Sequence, residues 1–81
     1  MTKKEIMIQK ELSNTKETAL FVQIAMQYRS TLCITYQSYQ VNPKSMMGVL
    51  CLGLRGGELI TISGEGDDEE AAVTSLEKYL S

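Results

Sequence analysis

The spacing of apolar positions changes several times along this chain, and each change marks an element. In "KEIMIQK", Ile6 and Ile8 fall on one side and Glu5, Met7 and Gln9 on the other, the pattern of a half-buried strand. Thr18, Phe21, Val22, Ala25 and Tyr28 then recur at helical spacing. Asn14 stands before them as an N-cap whose side chain accepts a backbone N–H. Glu17, at the third helical position, can reach back to the cap's own N–H. The spacing therefore predicts a helix from about Thr15. Leu20 and Ile24 lie on another face of it and leave an apolar pair toward solvent.

"TLCITY" is rich in β-branched and aromatic residues, a strand with Leu32, Ile34 and Tyr36 inward and Cys33 outward. "SYQV" returns after a tight turn at Gln37-Ser38, although neither residue is the Gly or Asn that such turns favour. Pro43 ends that strand. "NPKSMMGVLCLG" predicts a short helix with Ser45 as N-cap and Gly53 at its close. Gly56-Gly57 turns the chain into "ELITISG", where Ile60 and Ile62 face inward. Asp67 and Glu70 have capping-box spacing before a last helix that buries Ala72, Val73, Leu76 and Leu80. The order is strand, helix, strand, strand, helix, strand, helix. Helices on one face of an antiparallel sheet whose other face is wet make an α+β two-layer sandwich.

Composition narrows the classes. At 81 residues the chain is expected to be a single domain over 1–81, near the lower end of what folds alone. Net charge is −2 and the lysines and arginines are scattered, so no nucleic-acid partner is expected. No stretch approaches the roughly 20 apolar residues of a membrane span. The N-terminal alternation is not that of a signal peptide, so the expected location is cytoplasmic, away from membrane. Cys33 and Cys51 are too few for a disulfide framework, and the chain has 0 histidines to complete a zinc set. Reduced thiols, no metal and no cofactor are expected. The acids Glu65 and Asp67 to Glu70 read as a solvated helix start. No carboxylate pair with a base and no glycine-rich phosphate loop is present, so the chain is expected not to be an enzyme.

The chemistry that remains is at Ser45. Serine is a preferred N-cap, and that role alone would explain it. A phosphoserine there would also meet free N–H groups and the positive end of the helix dipole. Beside it lie Met46 and Met47, adaptable contact residues expected to be the more exposed, and Leu50, expected to be partly buried. Leu20 and Ile24 either extend that patch or are covered by a loop. Lys16 either binds an acidic partner or is a solvated first-turn lysine.

The segment "VNPKSMMGVLCLGL" resembles the regulatory-serine region of the HPr family, the phosphocarriers of the sugar phosphotransferase system. "ALFVQIA" resembles that family's first helix and "GEGDDEEAAVTSLEKYL" its last. The resemblance implies a βαββαβα open-faced sandwich with four strands and three helices. The family's active-site loop usually reads G-[LI]-H-A-R-P-A, and the aligned stretch here is "LSNTKETA". Asn14 stands in the place of the phosphoryl-accepting histidine, Lys16 in that of the arginine and Glu17 in that of the proline. An amide nitrogen has a delocalised lone pair and is no useful nucleophile, and Glu17 adds negative charge where phosphate would sit. Within the family the chain is similar to the histidine-less type known as Crh, which carries Gln at that position. The resemblance implies phosphorylation of Ser45 by a serine kinase/phosphorylase and docking on a sugar-responsive transcriptional repressor. The alternative is a divergent phosphocarrier using another residue, for which Cys33 and Cys51 are the only soft nucleophiles.

Overall fold

The computed structural model of the protein describes residues 1–81 throughout. Its elements are β1 (Thr2–Met7), α1 (Thr15–Met26), β2 (Thr31–Tyr36), β3 (Tyr39–Val41), α2 (Met46–Leu52), β4 (Leu59–Glu65) and α3 (Glu69–Leu80). The strands form one antiparallel sheet of 4 strands in the order β1-β4-β2-β3. The expected open-faced sandwich, with its three helices, is the fold observed.

Register places the apolar residues on one face. Ile6 lies opposite Ile60, and Ile62 opposite Ile34. These four side chains are buried together with Phe21, Val22, Ala25, Val49, Ala72, Val73, Leu76 and Leu80. Burying such side chains is the main favourable term in folding a chain of this size. Gly64 lets α3 approach β4 closely: a Cβ there would lie 3.0 Å from Leu32 and 3.2 Å from Val73. Leu12 and Leu54, outside any regular element, are also fully buried. They meet through the bond from the Leu12 N–H to the Leu54 carbonyl, 2.9 Å. The outer face carries Glu5, Thr35, Thr61, Ser63 and a half-buried Cys33, as the alternation requires.

One local expectation holds despite its poor turn chemistry, and three others are corrected. The Gln37-Ser38 hairpin turn forms with Gln37 itself at φ +56°, doing what Gly or Asn would do at lower strain. The Asp67–Glu70 capping box does not form. α3 starts one residue later, after Asp68, and has no side-chain cap. The Asp68 carboxylate instead receives the Arg29 N–H at 2.9 Å, the Ser30 N–H at 3.0 Å and the Ser30 hydroxyl. These bonds, the serine hydroxyl first, hold the Asp68 carboxyl below the usual aspartate range. Asp68 and Glu69 are accordingly half-buried, so this acidic run is not simply a solvated face. Tyr28, expected as the end of the α1 stripe, lies just past the helix. It is half-buried, with its phenol 2.5 Å from the Ser75 hydroxyl.

Candidate functional site

The N-termini of α1 and α2 carry the residues singled out from the sequence, and the two helices pack against each other. α1 begins where Asn14, in extended conformation, accepts the Glu17 N–H on Oδ1 at 2.8 Å. That half of the capping box is as expected. The other half is not. The Glu17 carboxylate turns away from the Asn14 N–H and accepts the Tyr79 phenol at 2.7 Å. Tyr79 also donates toward the Glu17 carbonyl at 3.1 Å, and the Lys10 ammonium sits 4.0 Å from the centre of its ring. Burial first, and the Glu17 carboxylate second, push the Tyr79 phenol up to about 12. Where the family pattern has a proline, this chain therefore has an anchored anion. Lys16 is exposed and forms neither of the two ion pairs in the structure.

α2 begins where Ser45, also extended, accepts the Gly48 N–H on Oγ at 3.2 Å. Gly53 closes the helix in the left-handed region at φ +56°, as the sequence predicts. Val49 turns fully inward. Met47 is 71% exposed on the first turn, and Leu20 is 42% exposed on α1. Leu50 is half-buried, as expected. Met46 differs from expectation: it is half-buried and packed against the core. In a seven-residue helix anchored by Val49, the residue three positions earlier shares the inward side. Ile24 likewise packs partly on the core, so the exposed apolar surface is narrower than the sequence suggested.

Cys33 is half-buried and Cys51 exposed, both as free thiols. Neither is tied to the Asn14 or Ser45 cap. No group of three or more His, Cys, Asp or Glu side chains is placed to hold a metal ion. No helix is long and apolar enough to cross a membrane.

Tyr79 was not singled out from the sequence, although it lies three residues beyond Leu76 and so extends the buried stripe of α3. Its bond to Glu17 spans 62 residues, a distance over which local spacing carries no signal.

The fold is an open-faced α+β sandwich with two side-chain-capped helix starts, and comparison with known proteins shows the family to which it belongs. The family model "PTS HPr component phosphorylation site" matches residues 3–81. The phosphocarrier protein HPr of Buchnera aphidicola subsp. Acyrthosiphon pisum is 41% identical over 63 residues, covering 78% of this chain and 74% of that protein. The HPr-like protein Crh of Halalkalibacterium halodurans is 37% identical over 65 residues, covering 80% of this chain and 77% of its own. The crystal structure of a phosphocarrier protein HPr from Bacillus anthracis is similar at a TM-score of 0.92 and 33% identity, over 99% of this chain and 96% of that one.

The chain belongs to the HPr family.

Proposed function

We propose that this protein is a regulatory member of the HPr family, switched at Ser45, and does not carry phosphoryl groups. The observation behind the proposal is the state of Asn14. The family's phosphoryl acceptor is a histidine, this chain has 0 histidines, and Asn14 serves as a helix cap beside an anchored carboxylate. A phosphoryl group arriving there would find no nucleophilic nitrogen and would face the Glu17 charge.

Ser45 keeps what a switch needs. It is exposed, its hydroxyl is hydrogen-bonded only to the Gly48 N–H, and the residues around it resemble the family's regulatory-serine segment. A phosphate would add about −1.5 to −2 charges at the start of α2, where dipole and free N–H groups accept it. Met47 stands exposed beside it, with Leu20 on α1, as the surface a protein partner would touch. Met46 and Ile24 pack partly on the core, Leu50 is half-buried, and the exposed Lys16 stands in the first turn of α1; these residues would border that surface. The partners that fit are a serine kinase/phosphorylase and a sugar-responsive transcriptional repressor, in the cytoplasm.

Two labelling reactions test this. With phosphoenolpyruvate and the first enzyme of the phosphotransferase system, the protein should stay unlabelled. With ATP and an HPr serine kinase it should take one phosphate, at Ser45. Acid-labile label from phosphoenolpyruvate would overturn the non-carrier reading. Failure of the kinase to label the folded protein would overturn the switch.

A further inference from the structure

We infer that Lys44, the residue before the switch serine, is a positioning residue whose charge is committed to the chain and not to a phosphoryl group on Ser45. The inference rests on the reading of Ser45 as a modified site. Sequence adjacency alone suggests the opposite, because a lysine next to a phosphoserine is a ready counter-ion. The geometry points elsewhere. The Lys44 ammonium donates to the Tyr28 carbonyl at 2.8 Å and to the Ser30 carbonyl at 3.0 Å. These carbonyls lie just beyond the last turn of α1, the end where a helix dipole favours a cation. Lys44 is half-buried and takes part in no ion pair.

Both ends of this contact are fixed. The Lys44 N–H donates to the Asn42 side chain at 2.9 Å, and the Ser45 N–H to the Asn42 carbonyl at 2.9 Å. The turn that delivers Ser45 is thus closed before α2 begins. On the other side, Asp68 holds the backbone of Arg29 and Ser30, and Tyr28 meets Ser75. Segment 28–30 is gripped by Asp68 just before α3, by Ser75 on α3, and by the turn before α2 through Lys44. An ammonium has three N–H donors, two of which are already directed at these carbonyls. Swinging Lys44 to a phosphate would deprive both carbonyls of this donor and uncouple segment 28–30 from the turn that positions Ser45.

A phosphoryl group on Ser45 is then met by the backbone N–H groups of α2 and by water.

The test uses protein with genetically encoded phosphoserine at position 45, so that it depends on no kinase. The Lys44 side-chain amine is followed by 15N NMR in the phosphorylated and unphosphorylated proteins, and the phosphate by 31P titration. The expected Lys44 Nζ resonance is the same in both proteins, and the phosphoserine titrates identically in wild type and Lys44→Gln. Amide exchange at Ser30 and Ser45 should speed up in Lys44→Gln and be restored in Lys44→Arg. An Nζ resonance that moves on phosphorylation and returns as the phosphate is protonated would overturn the inference. So would a phosphoserine pKa that rises in Lys44→Gln, or unchanged exchange in that variant. Should Lys44→Gln fail to fold, the two wild-type spectra still decide. Failure of the Ser45 reading itself would show separately, as a serine that the kinase ignores, and would leave these spectra as they are.

Discussion

The Tyr79 phenol donates to the Glu17 carboxylate at 2.7 Å, joining the last turn of α3 to the first turn of α1. This bond fixes an anion in the first turn of α1, three residues after Asn14, the position that aligns with the family's phosphoryl-accepting histidine. The single replacement Asn14→His should therefore restore little phosphoryl transfer, because Lys16, Glu17 and the Tyr79 anchor remain. Rapid labelling of that variant by phosphoenolpyruvate and the first enzyme would show that the surroundings matter less than the nucleophile. Adding Glu17→Pro should improve labelling over Asn14→His alone.

The same bond should shape the alkaline limb. Burial and the Glu17 carboxylate push the Tyr79 phenol from its ordinary 10.0 up to about 12. Its contribution to stability is thus complete below pH 10 and lost as pH rises through 12. Spectrophotometric titration should show a late tyrosinate step that disappears in Tyr79→Phe. A Tyr79→Phe curve matching the wild type would remove the phenol from this account.

Acid acts through the opposite sign. The Ser30 hydroxyl and the Arg29 N–H lower the Asp68 carboxyl from its ordinary 3.8, and the Tyr36 phenol and the Arg55 N–H lower Glu58 from 4.5. Both groups bind protons more weakly folded than unfolded, so they stabilise the fold above their ordinary values. That contribution declines as pH falls through 4.5 and 3.8 toward the lowered folded values. Urea unfolding measured across this range should show a shallower decline for Asp68→Asn than for wild type. Equal slopes would place the acid sensitivity elsewhere.

Ser45 and Met47 separate cap from contact. Ser45→Ala should cost about 0.5–2 kcal/mol by removing the acceptor for the Gly48 N–H. Ser45→Asp keeps a capping oxygen and should recover that stability, with partial partner binding, since a carboxylate carries less charge than phosphate. Met47→Ala should change stability by less than about 0.5 kcal/mol, because the side chain is 71% exposed, yet weaken partner binding. Met46→Ala should cost more, but less than the roughly 2–5 kcal/mol of a fully buried methionine. Chemical denaturation of the four variants checks the order; a Met47→Ala loss above about 2 kcal/mol would make Met47 core.

The elements were legible because each rests on local periodicity. Ile6 and Ile8 alternate, Thr18 to Ala25 recur every three or four residues, and Asn14 and Ser45 precede apolar runs as caps do. What was not legible depends on residues far apart in sequence. The Asp68 carboxylate is taken up by Ser30, 38 residues away, and the Glu17 carboxylate by Tyr79, 62 away. Met46 looked exposed because a short apolar run does not say which side of the helix meets the sheet. Gln37 shows local preference overridden by hairpin closure, with the strand pairs Tyr36–Tyr39 and Ile34–Val41 fixing the turn. Lys44 read as part of a motif, while its contacts are with the backbone of another loop.

The most direct measurement of the central claim is phosphopeptide mass spectrometry of the protein isolated from its own cells, grown with and without abundant sugar. The expected result is phosphate on the peptide carrying Ser45, at an occupancy that changes with sugar supply, and none on the peptide carrying Asn14. A Ser45 peptide free of phosphate under both conditions would contradict the switch, and leave Ser45 as the cap of α2 alone.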